Sequence, residues 1–355
     1  MYGGLASIDV PALVRIKPGA LDRLGVYCTR AGWSHVVLVR SAGLPESLLD
    51  RARRALVDVE VVLDAIEDEP SLAAAARLLA ALPGRARALI ALGGGRAVDL
   101  AKHAASIAGL PFVAVPTSLS HDGFASPLAS LHTPNGRRSI ACRPPCAVVV
   151  DTAVCLAAPA PLWLSGVGDV VAKVSAVFDW KLAFHARGEP VNDLAALLSD
   201  ATVSQLSARP VRDLEGTRAL ATALLLNGVA MSLAGTSRPA SGSEHLISHA
   251  LDQLSARPRL HGLQVGVATY IVSQLQAALP GAGQGHERVA RLLDASGFFD
   301  AIAADPFSRA EWQRALELAP SIKQDFYTVL STRDVRAEFA RLLAEDGPLA
   351  RCFVD

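Results

Sequence analysis

Short apolar runs alternate with longer Ala/Leu-rich stretches over the first 150 residues. Residues 34–40 (SHVVLVR), 57–63, 87–92, 111–115 and 147–151 read as strands. Between them, 45–56, 71–82 and 97–108 carry helical periodicity. Alternating β and α segments with apolar strands predict a parallel sheet covered on both faces. Residues 128–141, with Pro134-Asn135-Gly136 at the centre, predict a hairpin inserted before the last strand.

The pattern changes after Thr152. Residues 157–161 (AAPAP) read as a linker, and almost no β-patterned run follows. Segments 170–186, 193–206, 218–233, 265–278, 286–295, 308–319 and 332–343 are helical by length and period. The expected organisation is an α/β nucleotide-binding domain of the Rossmann-like kind over 1–158, then an all-α domain over 159–355. No repeat of fixed period interrupts it.

Composition narrows the class. At 355 residues and 51% hydrophobic, the chain can bury a large core and is not disordered. Lys plus Arg and Asp plus Glu balance at 34 each, so no bulk basic field marks a nucleic-acid protein. Met1–Val10 lacks a basic n-region. The longest apolar run, 219–235, is interrupted by Thr222 and Asn227, which suits a buried helix and not a membrane insertion. Five irregularly spaced cysteines make no disulfide framework. A cytoplasmic protein is expected.

Two places carry candidate chemistry. Gly93-Gly94-Gly95 stands between a strand and a helix, where bare amides and a helix N-terminus can meet a phosphate. One strand later comes Pro116-Thr117-Ser118-Leu119-Ser120-His121-Asp122, again at a strand's carboxyl end, where open α/β sheets hold ligands. The glycines match neither G-x-G-x-x-G nor a Walker A loop, so a ligand-free turn remains an open reading. So does a plain first-turn helix role for Asp99. In the helical half, Gly166-Val167-Gly168-Asp169 reads as the opening of a helix, and His245 and His249 share a helix face at i, i+4. One Asp and two His suit a divalent metal with an open position, although paired histidines are also found as capped core residues.

As a set, the motifs resemble the sn-glycerol-1-phosphate dehydrogenases. These belong with the iron/zinc alcohol dehydrogenases, glycerol dehydrogenases and dehydroquinate synthases. The matching stretches are GGGRAVDLAK from Gly93, PTSLSHDGFASP from Pro116, GVGD from Gly166, SRPASGSEHLISH from Ser237 and HGLQVG from His261. The resemblance spans most of the chain and implies the dehydroquinate synthase-like fold. It implies metal ligands Asp169, His245 and His261, usually for Zn²⁺. It implies a pyrophosphate cradle at Gly93, Gly94, Gly95, Arg96 and Ala97, with Asp99 beside it. Thr117, Ser118, Leu119, Ser120 and Ser126 would line the NAD(P)H. Asp122 and His249 would contact substrate, with Asp169 contributing.

The implied reaction is reduction of dihydroxyacetone phosphate to sn-glycerol 1-phosphate, in a cleft where the two domains meet. A small phosphorylated or phosphonate ketone is the expected partner, in a homo-oligomer. A same-fold reductase of another hydroxyketone, or a dehydroquinate synthase-like cyclase that returns its NAD unchanged, is the alternative. A degenerate nucleotide-binding protein would have lost a ligand or the glycine turn. No cation cluster marks a phosphate pocket; Lys173, Arg238 and Lys323 are candidates by charge alone. The strand at 34–40 ends in Val39-Arg40-Ser41, with no acidic residue to grip a ribose 2′-hydroxyl, so NADPH is expected to serve at least as well as NADH.

Overall fold

In a computed structural model the described residues are 8–66, 69–134, 136–345 and 347–355. Met1–Ser7, part of the stretch read for a leader, and Asn135 of the hairpin turn lie outside them. The chain divides into two compact units, Met1–Ala158 and Pro159–Asp355.

The first unit holds strands β1 (Leu13–Lys17), β2 (His35–Arg40), β3 (Glu60–Ile66), β4 (Ala88–Gly93), β5 (Phe112–Pro116), β6 (Leu128–Thr133), β7 (Gly136–Ala141) and β8 (Ala147–Asp151). Its helices are α1 (Leu24–Arg30), α2 (Glu46–Ala55), α3 (Leu72–Ala81), α4 (Gly95–Ala108) and α5 (Thr152–Ala157). Six strands form one parallel sheet in the order β1-β8-β5-β4-β2-β3. The central strands β4, β5 and β8 are buried at every position, as strands covered on both faces must be. β6 and β7 pair separately as an antiparallel hairpin.

Two local features differ from the periodicity. The edge strand starts at Glu60, three residues later than expected, because 57–59 closes the turn after α2 through Val59 N–H to Leu56 O at 2.8 Å. The strand β1, whose residues are only half-buried, and the short helix α1 carry too little pattern to be read from sequence.

The second unit is helical: α6 (Ala160–Arg187), α7 (Asp193–Ser207), α8 (Leu214–Ala234), α9 (Ser243–Leu254), α10 (His261–Ala277), α11 (Gly285–Ala295), α12 (Phe298–Ala303), α13 (Arg309–Ile322), α14 (Arg336–Glu345) and α15 (Gly347–Ala350). A two-residue parallel pair, Phe307–Ser308 with Phe353–Val354, is its β structure. The expected linker shrinks to Ala158-Pro159, since Pro161 sits in the first turn of α6, where a missing N–H costs nothing. The Gly-Val-Gly-Asp run lies inside α6 rather than opening a helix. α6 and α8 are long and apolar enough to cross a membrane, but 83% and 56% of their apolar windows are buried within the fold, as in core helices.

Candidate functional site

In the first unit the chain leaves β2 for β3 on one side of the sheet, while β4 continues to β5 and β8 on the other. β2 and β4 are therefore neighbours at the point where strand order reverses, and ligands of open α/β sheets sit beyond the carboxyl ends there. Those ends are Ser41 and Gly93-Gly94-Gly95. Ser41 N–H bonds Leu92 O at 3.1 Å, and Gly94 N–H bonds Ser41 Oγ at 3.1 Å. Gly93 has φ +153°, and a Cβ there would lie 2.1 Å from Ser41 Oγ, so only glycine fits. The turn delivers the chain into α4, whose first amides have no intrahelical partners and face an anion favourably. Arg96 is exposed and Ala97 fully buried on that first turn.

The second cluster follows β5. Thr117 N–H bonds Gly93 O at 3.0 Å, which ties the two loops together. Thr117, Ser118 and Ser120 are half-buried and Leu119 is buried. His121, quoted in the motif but assigned no role from sequence, packs against the glycine turn. Its Nδ1 accepts Gly123 N–H at 3.0 Å, and a Cβ on Gly95 would lie 2.5 Å from its Nε2. Asp122 opens a short 3-10 turn, Asp122–Phe124, and its carbonyl accepts the N–H groups of Ala125 and Ser126. Lys102, fully buried, donates to Gly123 O and to Leu128 O at 2.6 Å. Asp99, also buried, lies 3.5 Å from the Lys102 ammonium. Asp99 therefore pairs inside the fold with a cation that holds the Asp122 turn. Ser126 is buried and donates to Leu128 O at 3.2 Å.

The second unit brings Asp169, His245 and His261 together. Their candidate ligand atoms lie within 4.8 Å of one another. Glycines make this approach possible. A Cβ on Gly168 would lie 1.9 Å from Gly262 O, and one on Gly262 would lie 1.8 Å from Ser165 O. α6 and α10 thus touch through backbone, and His261, the first residue of α10, meets Asp169 from mid-α6. His245 enters from the first turn of α9.

Hydrogen bonds orient both imidazoles. His245 Nδ1 lies 2.8 Å from Glu244 Oε1, and its Nε2 lies 3.7 Å from Asp169 Oδ1. Glu244 is fully buried and also accepts Gly242 N–H at 2.6 Å and the Ser175 hydroxyl at 2.7 Å. His261 Nδ1 lies 3.3 Å from Ser248 Oγ, which Gln264 Nε2 also holds at 3.1 Å. Burial alone would raise the Asp169 carboxyl, but Lys173 at 3.5 Å, with His245 and His261, holds it well below the usual range. Burial likewise opposes charge on His245, and its bonds to Asp169 and Glu244 outweigh that and raise it. His249, one turn along α9 and half-buried, stands beside this trio with ring centroids 6.4 Å from His245 and 5.8 Å from His261.

Comparison with known proteins identifies the family. The family profile of the iron-containing alcohol dehydrogenases matches residues 15–159. A Thermofilum pendens protein named glycerol-1-phosphate dehydrogenase, NAD(P)+, is 42% identical over 280 residues, covering 75% of this chain and 79% of its own length. A protein of the same name from Aeropyrum pernix is 34% identical over 97% of this chain and 98% of its own. Among solved structures, a probable glycerol dehydrogenase from Sinorhizobium meliloti shares the fold at TM-score 0.72 and 21% identity, covering 94% of this chain and 99% of its own.

Proposed function

The chain belongs to the glycerol-1-phosphate dehydrogenase family, and from that membership we propose that it reduces dihydroxyacetone phosphate to sn-glycerol 1-phosphate with NADPH or NADH. The observation that carries the reading is the trio of buried Asp169, buried His245 and half-buried His261, with His249 beside it.

The donor set suits a divalent cation. It offers one carboxylate held ionised and two imidazoles whose Nδ1 atoms are engaged elsewhere, an arrangement typical of Zn²⁺ with an open position. We assign Asp169, His245 and His261 as the ligands of zinc. When bound, such a cation polarises the ketone oxygen and the reduced nicotinamide supplies hydride.

The remaining steps belong to the chain's own side chains. The Gly93–Ala97 turn and the start of α4 hold the cofactor pyrophosphate at the switch point of the sheet, flanked by Thr117, Ser118, Leu119 and Ser120. Ser126 braces the same loop. In the second unit His249 contacts the substrate and is placed to pass a proton to the oxygen of the reduced carbon; substrate contact by Asp122 rests on the family resemblance alone. Lys173 keeps Asp169 ionised and lies 3.4 Å from Ala240 O, which fixes the entry to α9.

A cytoplasmic location is the reading in keeping with the five free cysteines. Self-association is supported by Phe184, Leu194 and Leu197, which are 48%, 62% and 69% exposed on α6 and α7. A steady-state assay of nicotinamide oxidation across ketose phosphates and phosphonates, with metal measured on the same sample, tests the reading. Turnover of dihydroxyacetone phosphate supports it. Turnover confined to another ketone rejects it.

A further inference from the structure

A phosphorylated ketone brings two negative charges into the second unit, and its proposed hydroxyl contacts leave the phosphate unaccounted for. Of the three cations that charge alone suggests, two are already engaged. Lys173 is fully buried against Asp169. Arg238, 1% exposed, is held by both oxygens of Glu189 at 2.7 and 2.5 Å and donates to Tyr327 O at 2.9 Å.

Lys323 differs. It follows the last residue of α13, the helix that packs along α9. Among the described residues its ammonium has one hydrogen-bond partner, Ser237 Oγ at 3.0 Å, and no carboxylate within ion-pair range. Its Nζ lies 4.3 Å from the centre of the Phe326 ring, which also carries the Arg238 guanidinium at 3.6 Å. Two cations thus share one ring and one carboxylate, Glu189, which Arg238 occupies. Burial and the neighbouring Arg238 pull the Lys323 ammonium down to about 8, while Glu189 and Glu244 pull the other way. Among the described residues this half-buried ammonium has no directly paired carboxylate, only more distant ones.

Its position suits the substrate. Ser237 begins the loop that leads through Arg238 and Gly242 into α9, and His245 stands on the first turn of that helix. Glu244, which bonds His245, is near enough to act on Lys323 electrostatically. Ammonium and hydroxyl side by side are the donors a phosphate takes.

We propose that Lys323, with the Ser237 hydroxyl, binds the phosphate of the ketone substrate and so selects phosphorylated over plain hydroxyketones. This rests on the proposed reductase reading. Arg238 then acts through Phe326 and Glu189 to hold the neighbouring side chains rather than as a phosphate ligand.

The test uses full-length, zinc-loaded Lys323→Met and Lys323→Arg variants and the parent. The KM for dihydroxyacetone phosphate is measured, and inorganic phosphate binding is read by calorimetry. Losing one charge-assisted contact predicts that Lys323→Met raises both the KM and the phosphate Kd by about 10–100-fold, with zinc content and NADPH Kd unchanged. Lys323→Arg keeps both within about tenfold of the parent, because it restores the charge. A KM and phosphate Kd unmoved in Lys323→Met overturn the proposal, as does a fall in kcat alone. If the parent binds phosphate through Lys323 but does not reduce dihydroxyacetone phosphate, the reductase reading fails and the anion site stands. If the parent reduces it and phosphate binding ignores Lys323, the anion site fails alone.

Discussion

Glu244 holds Nδ1 of His245 at 2.8 Å and thereby turns Nε2 toward Asp169. A carboxylate behind a ligating imidazole fixes its tautomer and raises its basicity. Glu244→Gln keeps the shape but removes the charge. The expected result is a zinc affinity lower by about 10–100-fold in chelator competition, with the fold retained by circular dichroism. An unchanged affinity would show that Glu244 serves only the buried network with Ser175 and Gly242.

The two histidines at the mouth of α9 and α10 have separable roles. His261→Ala is expected to lose bound metal and activity together. His249→Ala is expected to keep its metal and lose turnover, since its ring lies 5.8 Å from that of His261 and outside the trio. Metal analysis of both purified variants checks this. Stoichiometric zinc in His261→Ala would refute the ligand set.

Lys102 and Asp99 are coupled. Lys102→Met leaves Asp99 as a buried carboxylate without its cation and takes the ammonium donor from two carbonyls, a loss of about 3–5 kcal/mol by the usual behaviour of broken buried pairs. Adding Asp99→Asn is expected to recover part of it. Urea unfolding of the two single variants and the double variant measures the coupling, and strictly additive losses would contradict it.

Cofactor choice turns on the end of β2. Arg40 Nε donates to Asp64 Oδ1 at 2.7 Å, so the residue placed to meet a 2′-phosphate is a cation shared with an acid on β3. NADPH is expected to serve at least as well as NADH, and Asp64→Ala to raise the NADPH-to-NADH ratio of kcat/KM. A parent preference for NADH beyond about a hundredfold, about 2.7 kcal/mol, would contradict it.

Much of this was legible in the sequence, for identifiable reasons. Apolar runs such as Ala147–Asp151 lie in the middle of the sheet, where burial on both faces forces the pattern. The proposed ligand trio follows from motif order, because spacing alone does not choose between His261 and His249 as its third member. Gly168 and Gly262, whose missing side chains let α6 and α10 touch, bring His261 up to Asp169. The same glycines suggested a helix start at Gly166, since local sequence does not distinguish a glycine that breaks a helix from one that lets another approach. Asp99, expected beside the cofactor cradle, also pairs with Lys102, which serves the Asp122 loop, a contact that local sequence does not announce. The phosphate partner was the least legible. Arg238 and Lys323 look alike as charges and differ in that Arg238 is hydrogen-bonded to Glu189 while Lys323, among the described residues, is paired directly with no carboxylate.

The central claim is the identity of the product, and chiral analysis of the glycerol phosphate formed from dihydroxyacetone phosphate tests it most directly. Zinc-loaded protein with NADPH is expected to yield the sn-1-phosphate enantiomer alone. Formation of the 3-phosphate enantiomer, or no turnover of dihydroxyacetone phosphate beside clear turnover of another ketone, would contradict it.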